Sequence, residues 1–153
     1  MRVTPLEPMA LSHIIGNLRE WDRREVFATR ADDCEDALLA DAMSTGMVSW
    51  VGWDDAEPIA AFGCMPLWKG VWSLWLFATD KFDKIGMSVT KMIVRDIVPA
   101  MWNGGAHRLE CKSMEGHVTA QRWLQSIGAK RECTHARFGR NGEDFHVYTW
   151  ERP

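Results

Sequence analysis

Proton-transfer chemistry needs one group that takes a proton and another that returns it. Residues of the right types are spread along this chain. Glu25 lies in a densely charged stretch, Asn17–Arg30, with Trp21, Val26 and Phe27 interleaved. Glu110 lies on a short alternating stretch where Leu109 and Cys111 are set against Arg108, Glu110 and Lys112. His117 opens an amphipathic segment. Histidine as a residue type exchanges protons near neutrality, which suits an acid or a base. The plain alternatives are local. Glu25 has Arg19, Arg23 and Arg24 as neighbours on a solvated face, Glu110 has Arg108 and Lys112, and His117 has main-chain partners at a helix start. His13, His107, His135 and His146 show no partner pattern. Cys34, Cys64, Cys111 and Cys133 are widely spaced, without a CxxC pair or a Cys/His set at metal-ligand spacing. They read as reduced thiols, and no metal site is expected.

The elements that must position these groups centre on one stretch, Val71 to Val98. It opens as an apolar strand, Val71–Phe77, breaks over Ala78–Asp83, and resumes as a helix with Ile85, Val89, Met92, Ile93 and Ile97 on one side. The turn between them carries Asp83, Lys84, Gly86 and Ser88. A loop that feeds a helix start directs unpaired N–H groups one way and favours an anion.

Around this unit the chain reads as follows. Arg2–Thr4 is a short first strand. Pro8 starts a helix carrying Leu11, Ile14, Ile15 and Leu18 at helical spacing. Asn17–Arg30 reads as a helix end, a turn at Asp22 and a further helical piece. Asp32 or Asp33 caps a helix that runs to Ser44 and stops at Gly46. Strands Met47–Trp53, Pro58–Leu67 and Val71–Phe77 follow as an antiparallel meander. Pro99 should kink or end the helix that extends toward Trp102. Arg108–Lys112 is a strand reached by a parallel crossover, and Gly116–Ile127 is a helix ended by Gly128. Arg131–Phe138 and Phe145–Trp150 close the chain as a hairpin across an Asn-Gly turn. The expected architecture is one α/β (α+β) domain over residues 1–153, with a mixed, mostly antiparallel sheet flanked by helices.

The 153 residues suffice for a sizeable core. A net charge of -3 gives no general attraction to nucleic acid or anionic membrane. No apolar run is long enough to span a bilayer, and no secretory signal opens the chain, so a cytoplasmic location is expected. Nine tryptophans are present, and Trp50, Trp53, Trp68, Trp72 and Trp75 crowd the middle strands. They read as core, pocket wall or a partner-binding surface.

The order of elements resembles the GCN5-related N-acetyltransferase (GNAT) fold. Three stretches carry the resemblance: the strand–loop–helix unit at 71–98, HVTAQRWLQSIGA at His117–Ala129, and Asn17–Ala28. The last is similar to a substrate-side segment of acetyltransferase-like proteins of tailed phages. The late helix and hairpin also resemble the internal virion protein of T7-like phages. The resemblance implies acetyl-CoA as cofactor. Its pyrophosphate would meet Lys84, Ile85, Gly86, Met87 and Ser88, and its thioester carbonyl a main-chain N–H at Leu76, Phe77 or Ala78. It also implies an amine acceptor on a protein or small molecule, with Glu25 as first choice for the base, Glu110 as second, and His117 as the acid. The family's phosphate loop reads Gln or Arg, two residues, Gly, one residue, then Gly or Ala. Here those positions are Asp83, Gly86 and Ser88. Leu124 stands where active members often carry a proton-donating Tyr, and Tyr148, the one tyrosine, lies elsewhere. Two functions follow: a phage-type N-acetyltransferase of the host cytoplasm, or a non-catalytic virion or host-interaction protein of the same fold, using its tryptophan-rich surface.

Overall fold

The computed structural model describes residues 1–44 and 48–153. Its elements are β1 (Arg2–Pro5), α1 (Pro8–Gly16), α2 (Glu20–Ala28), α3 (Glu35–Ser44), β2 (Val48–Asp54), β3 (Glu57–Trp68) and β4 (Val71–Ala78). A 3-10 turn (Phe82–Lys84) leads into α4 (Gly86–Met92), a π-helical segment (Ile93–Ile97) and α5 (Val98–Asn103). The chain closes with β5 (Arg108–Met114), α6 (Val118–Ser126), β6 (Lys130–His135) and β7 (Phe145–Glu151). The expected stop at Gly46 and strand start at Met47 lie outside the described residues.

The strands form one seven-stranded sheet in the order β1-β2-β3-β4-β5-β7-β6. All neighbours are antiparallel except β4 and β5. Alternation along β3 explains the two-sided core. Ala60, Phe62 and Cys64 pack with Val89, Ile93 and Leu124 on one face. Ala61 joins Val51, Phe77, Leu11 and Ile14 on the other. Helices therefore cover both faces. The GNAT fold anticipated from the sequence is the fold observed.

The parallel pair is short. Only Val71, Trp72 and Ser73 pair with Arg108, Leu109 and Glu110. Beyond Ser73 the strands part, although β4 runs on to Ala78 and β5 to Met114. This leaves an opening in the middle of the sheet, where a ladder would otherwise satisfy the main chain.

Three sequence expectations need correction. Asp22 is not at a turn; it lies in the first turn of α2 and is 2 % exposed. The helix does not end at Pro99. The missing N–H is absorbed by the wider π turn just before it, and the helix continues to Asn103. The closing hairpin has a longer connection than expected, because β6 ends at His135 and not at Phe138.

The tryptophans differ in exposure, and Trp21, Trp50, Trp72, Trp75 and Trp123 are half-buried. Of the nine, Trp53, Trp102 and Trp150 are buried, and only Trp68 is exposed, at 68 %. No helix among the described residues is long and apolar enough to cross a membrane.

Candidate functional site

A cleft of about 730 Å³ occupies the opening between β4 and β5. Leu74, Leu76 and Phe77 line it from β4, Lys112 and Ser113 from β5, and Trp123 and Leu124 from α6. Glu25 and Asp22 face it from α2, and Phe82, Gly86 and Met87 from the turn and α4. It is not sealed by tryptophan.

The direction of each β4 amide follows from alternation. Thr79 N–H donates to Ile59 O on the β3 side. Phe77 is paired with Ala61, two residues back, so its N–H faces β3 as well. Ala78 N–H points the other way and donates to Asp22 Oδ2 at 2.8 Å. Ala78 O accepts from Arg19 N–H at 3.0 Å. Of the three amides proposed as carbonyl polarisers, Phe77 and Ala78 are thus engaged. Leu76 N–H faces the opening, where β5 supplies no ladder partner.

The turn expected to receive an anion offers fewer groups than anticipated. Lys84 N–H donates to Lys81 O, and Ile85 N–H to Phe82 O. The Lys84 ammonium is held 3.0 Å from Asp54 Oδ2, and Ile85 is a core residue, 2 % exposed. Neither faces the cleft as anticipated. The first helical bond runs from Val89 N–H to Ile85 O, which leaves the N–H groups of Gly86, Met87 and Ser88 ahead of it. Gly86 and Met87 line the cleft. A Cβ at residue 86 would sit 3.3 Å from Phe82 Cε1, so glycine keeps the approach to those amides open.

Glu25 and His117, which are 92 residues apart in the chain, are brought together. Glu25 Oε1 accepts from Ser113 Oγ at 2.9 Å and from Met114 N–H. His117 Nδ1 lies 3.4 Å from the same oxygen. Thus Glu25 is not on a solvated arginine face. His117 is 5 % exposed and stacks on Trp21, with centroids 5.4 Å apart and planes 13° from parallel. It sits at the head of α6 without capping it. Gly116 (φ +92°) makes that stack fit, because a Cβ there would meet Trp21 Cη2 at 2.9 Å.

Glu110 is not brought to the cleft. It pairs with Arg108 at 2.9 Å and with Lys112 at 3.3 Å. Burial works against its charge, but the hydrogen bonds from Arg108 and Lys112 prevail and hold its carboxyl below the usual range. A base needs the opposite shift.

Asp22 completes the site and was missed in the sequence. Its Oδ2 lies 2.8 Å from Arg19 Nε, and its Oδ1 lies 3.8 Å from His117 Nε2. Burial pushes its carboxyl up, opposed by Arg19 and the Ala78 N–H. No local signal marks a helical Asp whose main partner is 56 residues away. The described residues hold no cluster of His, Cys, Asp and Glu able to bind a metal.

A split parallel pair, a helix start beside the split and a buried carboxylate–imidazole set meet at one cleft at the centre of the sheet. Comparison with solved structures agrees on the fold. The ribosomal-protein-alanine N-acetyltransferase of Brucella melitensis superposes with a TM-score of 0.73 at 10% identity, covering 99% of this chain and 100% of its own. The ribosomal-protein-S18-alanine N-acetyltransferase of Escherichia coli gives 0.71 at 11%, covering 98% and 92%. The yncA protein of Salmonella typhimurium, solved with its cofactor acetyl-CoA, gives 0.70 at 10%, covering 98% and 92%. No family model matches the sequence, and no curated protein matches it.

Proposed function

We propose that the protein is an acetyl-CoA-dependent N-acetyltransferase. The observation that carries this reading is the parting of β4 and β5 beyond Ser73 with Leu76 N–H facing the gap. Bound acetyl-CoA would supply an activated acetyl group as a thioester. Gly86, Met87 and Ser88 N–H groups would receive its diphosphate, and Leu74, Leu76, Phe82 and Trp123 offer apolar walls to its pantetheine arm. Asp83 also lines this end, and its carboxylate requires those amides to carry the anion. Leu76 N–H is the donor available to polarise a carbonyl in the gap. Glu25 takes the proton of the attacking amine, directly or through water. Leu124 cannot protonate a leaving thiolate, so His117 is the group on that side of the cleft able to return a proton.

The acceptor is an amine on a protein or small molecule. The resemblance of Asn17–Ala28 supports a phage-type enzyme working in a host cytoplasm. A second reading, a non-catalytic virion or host-interaction protein, is favoured by one specific observation. Both main-chain groups of Ala78 are already tied to α2 and its cap, which removes two anchors from the gap.

The test is release of free thiol from acetyl-CoA in the presence of a panel of amines and N-terminal peptides. Glu25→Gln should reduce turnover by about 10²–10⁴-fold, with calorimetric binding of acetyl-CoA retained. Unchanged turnover would remove Glu25 from the mechanism. No thiol release with any amine would favour the second reading.

A further inference from the structure

His117 lies between two carboxylates, Glu25 Oε1 at 3.4 Å from Nδ1 and Asp22 Oδ1 at 3.8 Å from Nε2. Its Nδ1 is buried and makes no hydrogen bond. Such an atom costs free energy unless something later partners it. The facing Glu25 oxygen already accepts two hydrogen bonds, from Ser113 and Met114. That oxygen is an acceptor only, so a proton carried on Nδ1 would join the two atoms.

We propose that Asp22 is a positioning residue that fixes His117 with Nε2–H toward itself, so that Glu25 and Nδ1 together accept the amine proton. The proposal rests on the acetyl-transfer reading above. As the amine nitrogen bonds to the acetyl carbon, the C–S bond breaks and the thiolate leaves with its electron pair. The amine proton passes to the Glu25 carboxylate and on to His117 Nδ1. The imidazolium so formed has a carboxylate at each nitrogen, and Nδ1 gains the partner it lacks at rest.

The surroundings suit this role. Trp21 holds the ring flat on one side, and Arg24 lies 4.6 Å from the Trp21 ring. Arg19 stands beside Asp22, and its guanidinium rests over Phe82 at 4.8 Å. From β5, Ser113 bonds Glu25 and Lys112 lines the same cleft. The carboxylates beside the imidazole are Asp22 and Glu25, with Arg19 next to Asp22.

Two measurements test the assignment. In the unliganded protein, ring ¹⁵N shifts of His117 should show the Nε2–H tautomer when neutral. Its titration midpoint should fall by roughly half a pH unit or more in Asp22→Asn, which removes a neighbouring anion. In turnover, the acid limb of kcat/KM should move down by the same amount. A purely structural role would lower the whole profile without moving that limb, and that result, or the Nδ1–H tautomer in the wild type, overturns the proposal. If Asp22→Asn does not fold, the wild-type tautomer decides. Absence of turnover with the Nε2–H tautomer present would overturn the acetyl-transfer reading and leave Asp22 as the residue orienting His117.

Discussion

Replacing Asp22 by Ala would leave the Ala78 N–H without an acceptor in a closed interior and Arg19 without its counter-charge. The expected loss is about 2–3 kcal/mol, tempered by the partial exposure of Arg19; urea denaturation measures it. Asp22 also has a signature in pH. Burial pushes its carboxyl above the ordinary 3.8, so the folded state holds a proton the unfolded chain has released. Stability should therefore fall as pH rises from about 3.8 through the folded value, and level off above it. Asp22→Asn should lack that fall, so stability curves of the two proteins against pH should converge on the acid side. Parallel curves would assign the fall to other carboxylates. Nothing about this residue was legible locally. Asn17–Arg30 is dense in charge, and a lone Asp there reads as turn or surface. Its burial follows from where β4 lies, a contact that spacing within the segment does not encode. Glu25 and His117 were singled out in the sequence through family resemblance, but the hydrogen bonds that Ser113 and Met114 give to Glu25 were not foreseen.

Elements were legible where one face repeats. Leu11, Ile14 and Ile15 announced α1, and all three are buried. Val89, Ile93 and Ile97 announced the helix after β4 and are likewise buried, although the π turn between them was not foreseen. A proline in a helical pattern signals an interruption, and its form depends on packing against neighbours. The shortness of the β4–β5 ladder was invisible too, since β4 is apolar on both sides of Ser73, where the ladder ends. Two connections between elements can be tested. Trp123 Nε1 donates to Thr90 Oγ1 at 2.9 Å, joining α6 to α4 across the cleft wall. Trp123→Phe should cost about 1 kcal/mol and raise KM for acetyl-CoA more than it lowers kcat; steady-state kinetics separates the two. Gly116→Ala combines left-handed backbone strain with a clash on the Trp21 ring. It should destabilise the protein by about 1–3 kcal/mol and release His117 from its stack, read as a changed His117 ring shift by NMR.

At the scale of the molecule, the sheet is continuous from β1 to β6 except where β4 and β5 diverge. A ligand seated there would bridge α2, α4, α6 and both strands, so it should stabilise the whole fold and not one edge. Mass action fixes the size of the effect. Acetyl-CoA at a hundred times its Kd adds about 2.7 kcal/mol, which for a chain of this length raises Tm by roughly 5–10 °C. Truncated ligands locate the source. Acetyl-pantetheine lacks the diphosphate and should give a smaller shift at equal concentration, because it forfeits the amides of Gly86, Met87 and Ser88. ADP alone should give a shift that depends on those same amides. Equal shifts from acetyl-CoA and acetyl-pantetheine would place all affinity in the gap beside Leu76 and none at the helix start. No shift from acetyl-CoA at about a millimolar would mean that the α2 contacts at Ala78 keep the opening from its ligand, and the fold would then be serving a task other than acetyl transfer.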